Sequence, residues 1–186
     1  MAAEYHFITN WRIPGTAEEV AEVLGDPLAL PRWWPSVYLD VHELAPGDPQ
    51  THVGRFIELY TKGWLPYTLR WRFTISESRG VRGFSLVADG DFVGTGVWTL
   101  VQEGEVVDVQ YDWRIRADKP LLRYGTFVMR PIFSANHRWA MARGEESLKL
   151  ELQRRHAKTE AERLAVPAPP GPTFATRSTV KRSSSK

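Results

Sequence analysis

The side chains of this sequence that are best suited to proton transfer are His137, Tyr67 and Tyr111. His137 follows Asn136 on one face of a predicted helix, and an imidazole titrates near neutral pH, as a general acid or base must. Tyr67 and Tyr111 lie on predicted strands, with side chains on the inward face, where a buried hydroxyl needs water or a ligand as a partner. A core-edge histidine and tyrosines that simply pack the sheet would leave the same pattern. Both interpretations stay open from the sequence.

Other chemistries lack the residues that they require. The 186 residues include no cysteine, which excludes disulfides, thiolate catalysis and cysteine-based metal sites. The five histidines lack metal-binding spacing, so we predict no metal site and no cofactor. Asp89 and Asp91 flank Gly90, a pattern typical of a hairpin turn rather than of an acidic pair. Gly94 and Gly96 lie within a strand that no helix follows, so they are not a dinucleotide-binding loop.

The distribution of charge separates the chain into two predicted parts. Its net charge is +2, but residues 164–186 carry four basic and no acidic residues, which leaves −2 for residues 1–163. We therefore predict a folded domain over 1–163 that does not bind nucleic acid. We also predict a disordered tail over 164–186, first Pro/Ala-rich and then basic and rich in Ser and Thr. The first residues resemble no signal peptide, and no apolar run approaches the roughly 18 residues of a membrane span. We predict a cytoplasmic protein with at most transient membrane contact.

Hydrophobic periodicity predicts the elements that must position these residues. A strand over 4–13 precedes a short helix, which Thr16 and Glu19 cap and Gly25 ends. A brief helical turn near the Trp33-Trp34 pair follows. Six strands at hairpin spacing come next, with one apolar and one polar face, which indicates an antiparallel sheet covered on one side. Arg70 and Arg72 fall on the polar face, where charge pairs are expected. A short lead-in helix over 119–129 and one long helix over 131–163 complete the order.

The predicted inward faces are aromatic on the sheet and irregular on the long helix. The sheet positions are large rings and two glycines: Trp11, Tyr67, Trp71, Phe73, Phe92, Gly94, Gly96, Trp98, Tyr111 and Trp113. The helix stripe carries Asn136, His137, Ala140, Met141 and Gly144 where a solid core calls for Leu, Ile or Phe. We therefore predict that these fifteen residues line a hollow, which Leu148 and Leu152 seal at one end.

Three apolar residues are predicted to surround the mouth of this hollow. Trp64 and Leu65 stand at the tip of a predicted hairpin loop over 61–66, and exposed apolar residues at such a tip indicate a contact surface. Trp34 is placed near the same portal, with Trp33 in the core. Lys62 near such a mouth would suit an acidic head group.

The element order and two stretches of sequence resemble the Bet v 1-like, or START (SRPBCC), superfamily. WRIPGTAEEVAEVLGDPLALPRWWPSV is similar to the opening of such domains, and NHRWAMARGEESLKLEL is similar to the last helix of bacterial polyketide cyclase/dehydrase-type members. The resemblance covers residues 4–155. It implies an α+β helix-grip fold: a seven-stranded curved antiparallel sheet wrapped around a long C-terminal helix, with two short helices after the first strand. It also implies a cavity for an apolar ligand such as a lipid, polyketide, sterol or quinone.

Three functions follow as hypotheses. The first is a carrier or sensor of a hydrophobic small molecule, because the inward face is aromatic and its polar groups are few. The second is a polyketide aromatase/cyclase in which His137, Tyr67 and Tyr111 carry protons. The third is a protein-interaction module with a packed interior, docked through the tail or the Trp64 hairpin. The ligand and the oligomeric state are not readable from the sequence.

Overall fold

The computed structural model describes residues 3–117 and 126–173, with side chains for 4–116 and 130–173. The strands are β1 (Ala3–Pro14), β2 (Tyr38–Ala45), β3 (Phe56–Lys62), β4 (Thr68–Ser78), β5 (Gly83–Gly90), β6 (Phe92–Glu103) and β7 (Val106–Ala117). The helices are α1 (Ala17–Leu24), α2 (Leu30–Trp33), α3 (Thr126–His156) and α4 (Glu160–Ala165), with 3-10 turns at Pro27–Ala29 and Gly80–Arg82.

The seven strands form one antiparallel sheet in the order β1-β7-β6-β5-β4-β3-β2. Strands β2 to β7 follow one another as hairpins, whereas β1 joins the far edge by pairing with β7 from Ala3↔Ala117 to Pro14↔Val106. Register shifts in β2 and in the β4–β5 pair add local bends, as bulges do. The sheet curves around α3, with α1 and α2 after β1. This arrangement confirms the predicted helix-grip fold.

The first helix forms where the capping residues predict it. The Thr16 hydroxyl accepts a hydrogen bond from the Glu19 amide at 3.3 Å, and the Glu19 carboxylate accepts one from the Thr16 amide at 3.0 Å. The helix ends at Leu24, and the Gly25 amide donates to the Ala21 carbonyl. Val20 and Val23 are buried on its inward face. These contacts fix α1 against the sheet, where it roofs one end of the interior.

The long helix is shorter at its C-terminal end than the sequence predicts. It ends at His156, and α4 begins after Thr159, so one helix over 131–163 is wrong. The physical reason is a second capping box: the Thr159 hydroxyl accepts from the Glu162 amide, and the Glu162 carboxylate accepts from the Thr159 amide. Of the predicted lead-in helix, residues 126–129 belong to α3, and 119–125 lie outside the described residues.

The chain after α4 returns towards the β3–β4 hairpin. Arg154 of α3 donates to the Pro167 carbonyl, and the Thr173 hydroxyl donates to the Gly63 carbonyl at 3.4 Å. Helix α4 crosses the predicted boundary at 163/164, and residues 174–186 of the predicted tail lie outside the described residues. The division into a domain and a disordered tail stays a prediction. None of the described helices combines the length and apolarity that a membrane span requires.

Candidate ligand-binding chambers

Two chambers lie inside the fold, and the first is enclosed by α3 and the sheet. We call it the α3 chamber; it has a volume of about 120 Å³, and none of the residues around it is fully exposed. Its walls come from β1, β2, β3, β4, β6, β7 and α3, from the chain before β2 and from the loop between β3 and β4. They are Tyr5, Phe7, Trp34, Val37, Tyr38, Thr61, Lys62, Gly63, Tyr67, Leu69, Trp71, Phe92, Tyr111, Trp113, Ile115, Phe133, Asn136, His137, Ala140 and Met141.

The second chamber lies beneath α1 and is the larger. We call it the α1 chamber; its volume is about 370 Å³. Its inner wall is apolar and is formed by Ala21, Leu24, Pro27, Leu30, Trp34, Tyr38, Trp71, Phe73, Ile75, Phe84, Leu86, Trp98 and Tyr111. Exposed residues of α1, of the loop at Gln50–His52 and of the turn at Gly80–Val81 surround its opening.

Four aromatic side chains separate the chambers, because they contribute to the walls of both: Trp34, Tyr38, Trp71 and Tyr111. We call these four residues the partition. The Trp34 side chain is 2% exposed, and its ring lies 5.4 Å from that of Trp33 and 5.1 Å from that of Tyr38. The Trp71 indole donates to the Thr61 hydroxyl at 3.0 Å. Packing and this hydrogen bond hold the partition in place.

The structure brings most of the fifteen predicted cavity residues to the chambers. Nine of them line the α3 chamber: Tyr67, Trp71, Phe92, Tyr111, Trp113, Asn136, His137, Ala140 and Met141. Phe73 and Trp98 line only the α1 chamber. Trp11, Gly94, Gly96 and Gly144 line neither. Trp11 is buried and packs against Trp34 and Trp98, so it supports the partition from behind.

The three glycines admit neighbouring groups rather than leaving a hollow. A Cβ atom at Gly144 would collide with the Trp34 ring, and one at Gly96 would collide with the Tyr111 ring and hydroxyl. A Cβ atom at Gly94 would collide with the backbone of Arg114. Aromatic rings therefore fill the space that side chains at Gly144 and Gly96 would occupy. For this reason, glycines on the inward faces did not indicate empty space.

The predicted portal residues occupy other places. Trp34 is buried in the partition instead of lying at a mouth. Trp64 is 37% exposed and Leu65 is partly buried, but neither lines a chamber. Their amides donate to the Asn136 Oδ1 atom at 2.9 and 3.4 Å, and Gly63 leaves the space that this amide group needs. Asn136 therefore anchors the hairpin tip to α3 and borders the α3 chamber as well.

The phenol groups at the chambers are neutral hydrogen-bond donors. The hydroxyls of Tyr38, Tyr67 and Tyr111 make no hydrogen bond with any residue that the structure describes. Burial raises the pKa of all three, with a further rise at Tyr67 from the nearby Tyr5 and at Tyr111 from the nearby Tyr38. These hydroxyls remain protonated at neutral pH, and each can donate to a ligand oxygen.

His137 is a neutral imidazole in the wall of the α3 chamber. Its ring stacks on Phe7 with 4.2 Å between centroids, and its Nε2 atom lies 3.3 Å from the Thr9 hydroxyl. Burial, reinforced by the positive charge of Arg138, lowers the pKa of His137 to about 4. The sequence left open whether this histidine has a partner in the fold, and Thr9 is that partner.

Several wall residues were not among the predicted cavity set. Lys62 is only 5% exposed although it is charged, and burial lowers its pKa. Thr61 and Lys62 are buried in succession at the end of β3, which breaks the alternation that strand prediction relies on. Tyr5 and Phe7 could have been found, because they share the inward face of β1 with Trp11. In the described part of the chain, no three His, Asp or Glu side chains converge as a metal site would require.

Comparisons with known proteins establish the fold of this chain and nothing finer. No family model and no curated protein matches it. A structure from Thermus thermophilus matches with a TM-score of 0.65 at 17% identity, over 80% of this chain and 99% of the other. The Zhui aromatase/cyclase of Streptomyces sp. R1128 matches with a TM-score of 0.62 at 16% identity, over 84% and 98%. The di-domain aromatase/cyclase StfQ of the steffimycin biosynthetic pathway matches with a TM-score of 0.58 at 17% identity, over 78% of this chain and 49% of that chain.

Proposed function

We propose that this protein binds an uncharged hydrophobic small molecule in the α3 chamber and acts as its carrier or sensor. The observation that carries the proposal is the set of unpartnered hydroxyls at an aromatic-walled void. Tyr5, Tyr67 and Tyr111 border the chamber. The Tyr5 hydroxyl is buried without a hydrogen-bond partner, and no described residue bonds to the hydroxyls of Tyr67 and Tyr111, so a ligand oxygen would supply one. Such a pocket, apolar with a few polar groups that fix orientation, is typical of ligand sites.

The size and charge of the chamber define the class of ligand. An apolar cavity of about 150 Å³ is known to hold benzene, so the 120 Å³ of this chamber accommodates about one ring. The phenols stay protonated and His137 stays neutral, so the wall favours an uncharged ligand with keto or hydroxyl oxygens. Lys62 in the same wall is buried, and burial lowers its pKa.

A one-ring ketone tests the proposal directly. We expect acetophenone to shift the indole N–H signals of Trp71 and Trp113 in a saturable NMR titration, because both rings line the α3 chamber. Ala140→Phe places a ring in the chamber and is expected to weaken binding at least tenfold. Ala142→Phe is the matched control: Ala142 is exposed on the same helix, so affinity should stay within twofold. Equal binding by both variants, or no saturable shift in the wild type, would contradict the proposal.

Catalysis is the second candidate, and the contrast between His137 and the phenols favours it. A neutral imidazole beside protonated phenols provides a base and acids around one void, which enolisation and ring closure of a β-keto chain require. Zhui and StfQ, which share this fold, are aromatase/cyclases, and this supports the same class of reaction here. On this proposal, His137 removes a proton next to a carbonyl, and Tyr67 or Tyr111 donates a hydrogen bond to the carbonyl oxygen.

Turnover of a β-keto thioester tests this second candidate. We expect cyclised product from the wild type and at least a tenfold lower rate from the variant His137→Asn with Tyr67→Phe and Tyr111→Phe. Tyr60→Phe is the control, since Tyr60 stacks under Arg70 on the outer face of the sheet. A triple variant that keeps the wild-type rate would exclude these residues as proton carriers.

The interaction-module hypothesis requires a packed interior. The chambers are larger than a few water molecules, and this argues against that hypothesis.

A further inference from the structure

The α1 chamber lies outside the site proposed above. It has about three times the volume of the α3 chamber, 370 against 120 Å³, and its size falls in the range of roughly 300–1,000 Å³ that is usual for ligand pockets. Its floor consists of side chains from β4, β5 and β6, and its roof includes Ala21 and Leu24 of α1 and Pro27 and Leu30 after it. Apart from the four partition residues, the two chambers share no wall.

The partition keeps the chambers separate for a structural reason. The Trp34 ring occupies the space that a side chain at residue 144 would take, and Trp11 and Trp33 pack around it at centroid distances of 5.7 and 5.4 Å. A rotation of this ring would have to displace well-packed neighbours. A molecule in the α3 chamber therefore does not extend into the α1 chamber, and the latter needs an opening of its own.

That opening lies between α1 and two loops. Thr51 and His52 on one side and Val81 on the other are exposed where they border it. Two of the charged groups at the rim are held by other residues, whereas Glu18 is exposed there. Arg55 donates to Glu43 at 2.5 Å and to the Gly25 carbonyl at 3.2 Å, and Glu22 pairs with Arg155 at 2.8 Å. Arg55 and Glu22 therefore offer little to a ligand that depends on charge, and the exposed Glu18 disfavours an anionic one.

The polar groups at the inner end are donors. The side chains of Tyr38 and Tyr111 in the partition border the α1 chamber, and no described residue hydrogen-bonds to either hydroxyl; the Tyr111 hydroxyl lies beside Gly96. Around them the wall is aromatic: Trp98 stacks on Tyr111 at 4.1 Å and 17°, and Phe84 lies 6.4 Å from Trp98. An aromatic wall with hydroxyl groups on two of its residues suits a flat molecule that carries an oxygen acceptor.

We propose that the α1 chamber is a second binding compartment, which takes a planar, uncharged, multi-ring aromatic ketone or quinone through its own opening. This inference extends the proposed function to a second site, and it rests on the same physical basis of aromatic walls and unpartnered phenols. The two sites select by size: one ring beneath α3, and three or more fused rings beneath α1.

Two helix alanines provide a matched pair of variants. Ala21 of α1 borders only the α1 chamber, and Ala140 of α3 borders only the α3 chamber. The probes are 9-fluorenone, a flat three-ring ketone, and acetophenone, its one-ring counterpart. Calorimetric titration should show fluorenone affinity reduced at least tenfold by Ala21→Phe and changed less than twofold by Ala140→Phe. Acetophenone should show the reverse pattern.

Each outcome separates the two proposals. If Ala140→Phe abolishes fluorenone binding but Ala21→Phe does not, the second compartment is overturned and the proposal for the α3 chamber is unaffected. If Ala140→Phe leaves acetophenone binding unchanged, the proposal for the α3 chamber is overturned, whatever the result with fluorenone. If Ala21→Phe fails to fold, as judged by circular dichroism, Val81→Trp replaces it. That exposed side chain stands at the opening, so the variant is expected to slow fluorenone association at least fivefold, and an unchanged rate would overturn the inference.

Discussion

The two halves of α3 face the same sheet but meet different surroundings. In the half nearer the N-terminus, Asn136, His137, Ala140 and Met141 border the α3 chamber. In the other half, Leu148 is 0% exposed and packs in the core with Leu152. The difference shows that one helix can have separate parts for binding and for stability. An inward residue that borders a void is available to a ligand, whereas one that packs against other side chains stabilises the fold.

Ion pairs to a buried carboxylate mark the packed half. Glu151 accepts hydrogen bonds from Arg32 of α2 at 2.7 and 2.8 Å and from Arg155 at 3.1 Å. Burial alone would raise the pKa of Glu151, but the hydrogen bonds from Arg32 and Arg155 and their positive charges outweigh it and lower the pKa. This clamp joins α3 to α2. The chamber-lining half has no equivalent ion pair among its described side chains, and its His137 is neutral.

The largest expected effect comes from deleting bulk in each half. Leu148→Ala should reduce the free energy of unfolding by about 3 kcal/mol, because it opens a new cavity in a packed core. Met141→Ala should cost only about 1 kcal/mol, because Met141 already has a void on one side and makes fewer contacts there. Urea denaturation of both variants measures the difference. Equal losses would show that the two halves are packed alike.

The second effect tests the clamp. Glu151→Gln should lose about 2 kcal/mol at pH 7, since it weakens charge-assisted hydrogen bonds to a carboxylate that is buried. The folded pKa lies below the unfolded value, so this stabilisation is present above about pH 4.3 and is lost as the pH falls. Glu146→Gln is the control: its pair with Arg143 is exposed and should contribute less than about 1 kcal/mol. Similar losses in both variants would refute the clamp.

The third effect uses pH to examine the chamber half. The pKa of His137 is about 4 in the folded chain, below the ordinary value of about 6.5, so the unfolded chain binds its proton first. The stability associated with neutral His137 is therefore complete above about pH 6.5 and decreases as the pH falls towards 4. His137→Asn should flatten this part of the stability profile by about 1 kcal/mol. A histidine that titrates near its ordinary pKa by NMR would contradict the buried position.

The smallest effect concerns the hairpin tip. Asn136→Ala removes the acceptor for the Trp64 and Leu65 amides and should cost about 0.5 kcal/mol, since water can replace it at a partly exposed site. Hydrogen exchange at these two amides should accelerate severalfold. Asn136→Asp retains an acceptor oxygen and should keep the protection. If these amides exchange in Asn136→Ala at the wild-type rate, other contacts hold the hairpin.

The local elements followed from the sequence, because their signals act over a few residues. Thr16 and Glu19 identified the start of α1, and alternation placed Tyr67, Trp71, Tyr111 and Trp113 on the inward face. Antiparallel pairing followed from the hairpin spacing of the strands, and the helix grip was implied by the resemblance to a known superfamily, whereas the order of the strands in the sheet came from the structure. The second capping box at Thr159 lay in the sequence as well, but helical periodicity over 131–163 concealed it.

Only the tertiary structure decided where the interior is empty. Gly96 and Gly144 are small, yet the rings of Tyr111 and Trp34 fill the space beside them. The partition, the two chambers and the burial of Lys62 arise because side chains from β2, β4, β7 and the end of α2 converge across distances that no local pattern encodes. A sequence determines which faces are apolar, since that depends on residue type and period. Whether two apolar faces meet in contact or leave a void depends on how complete side chains fit together in three dimensions.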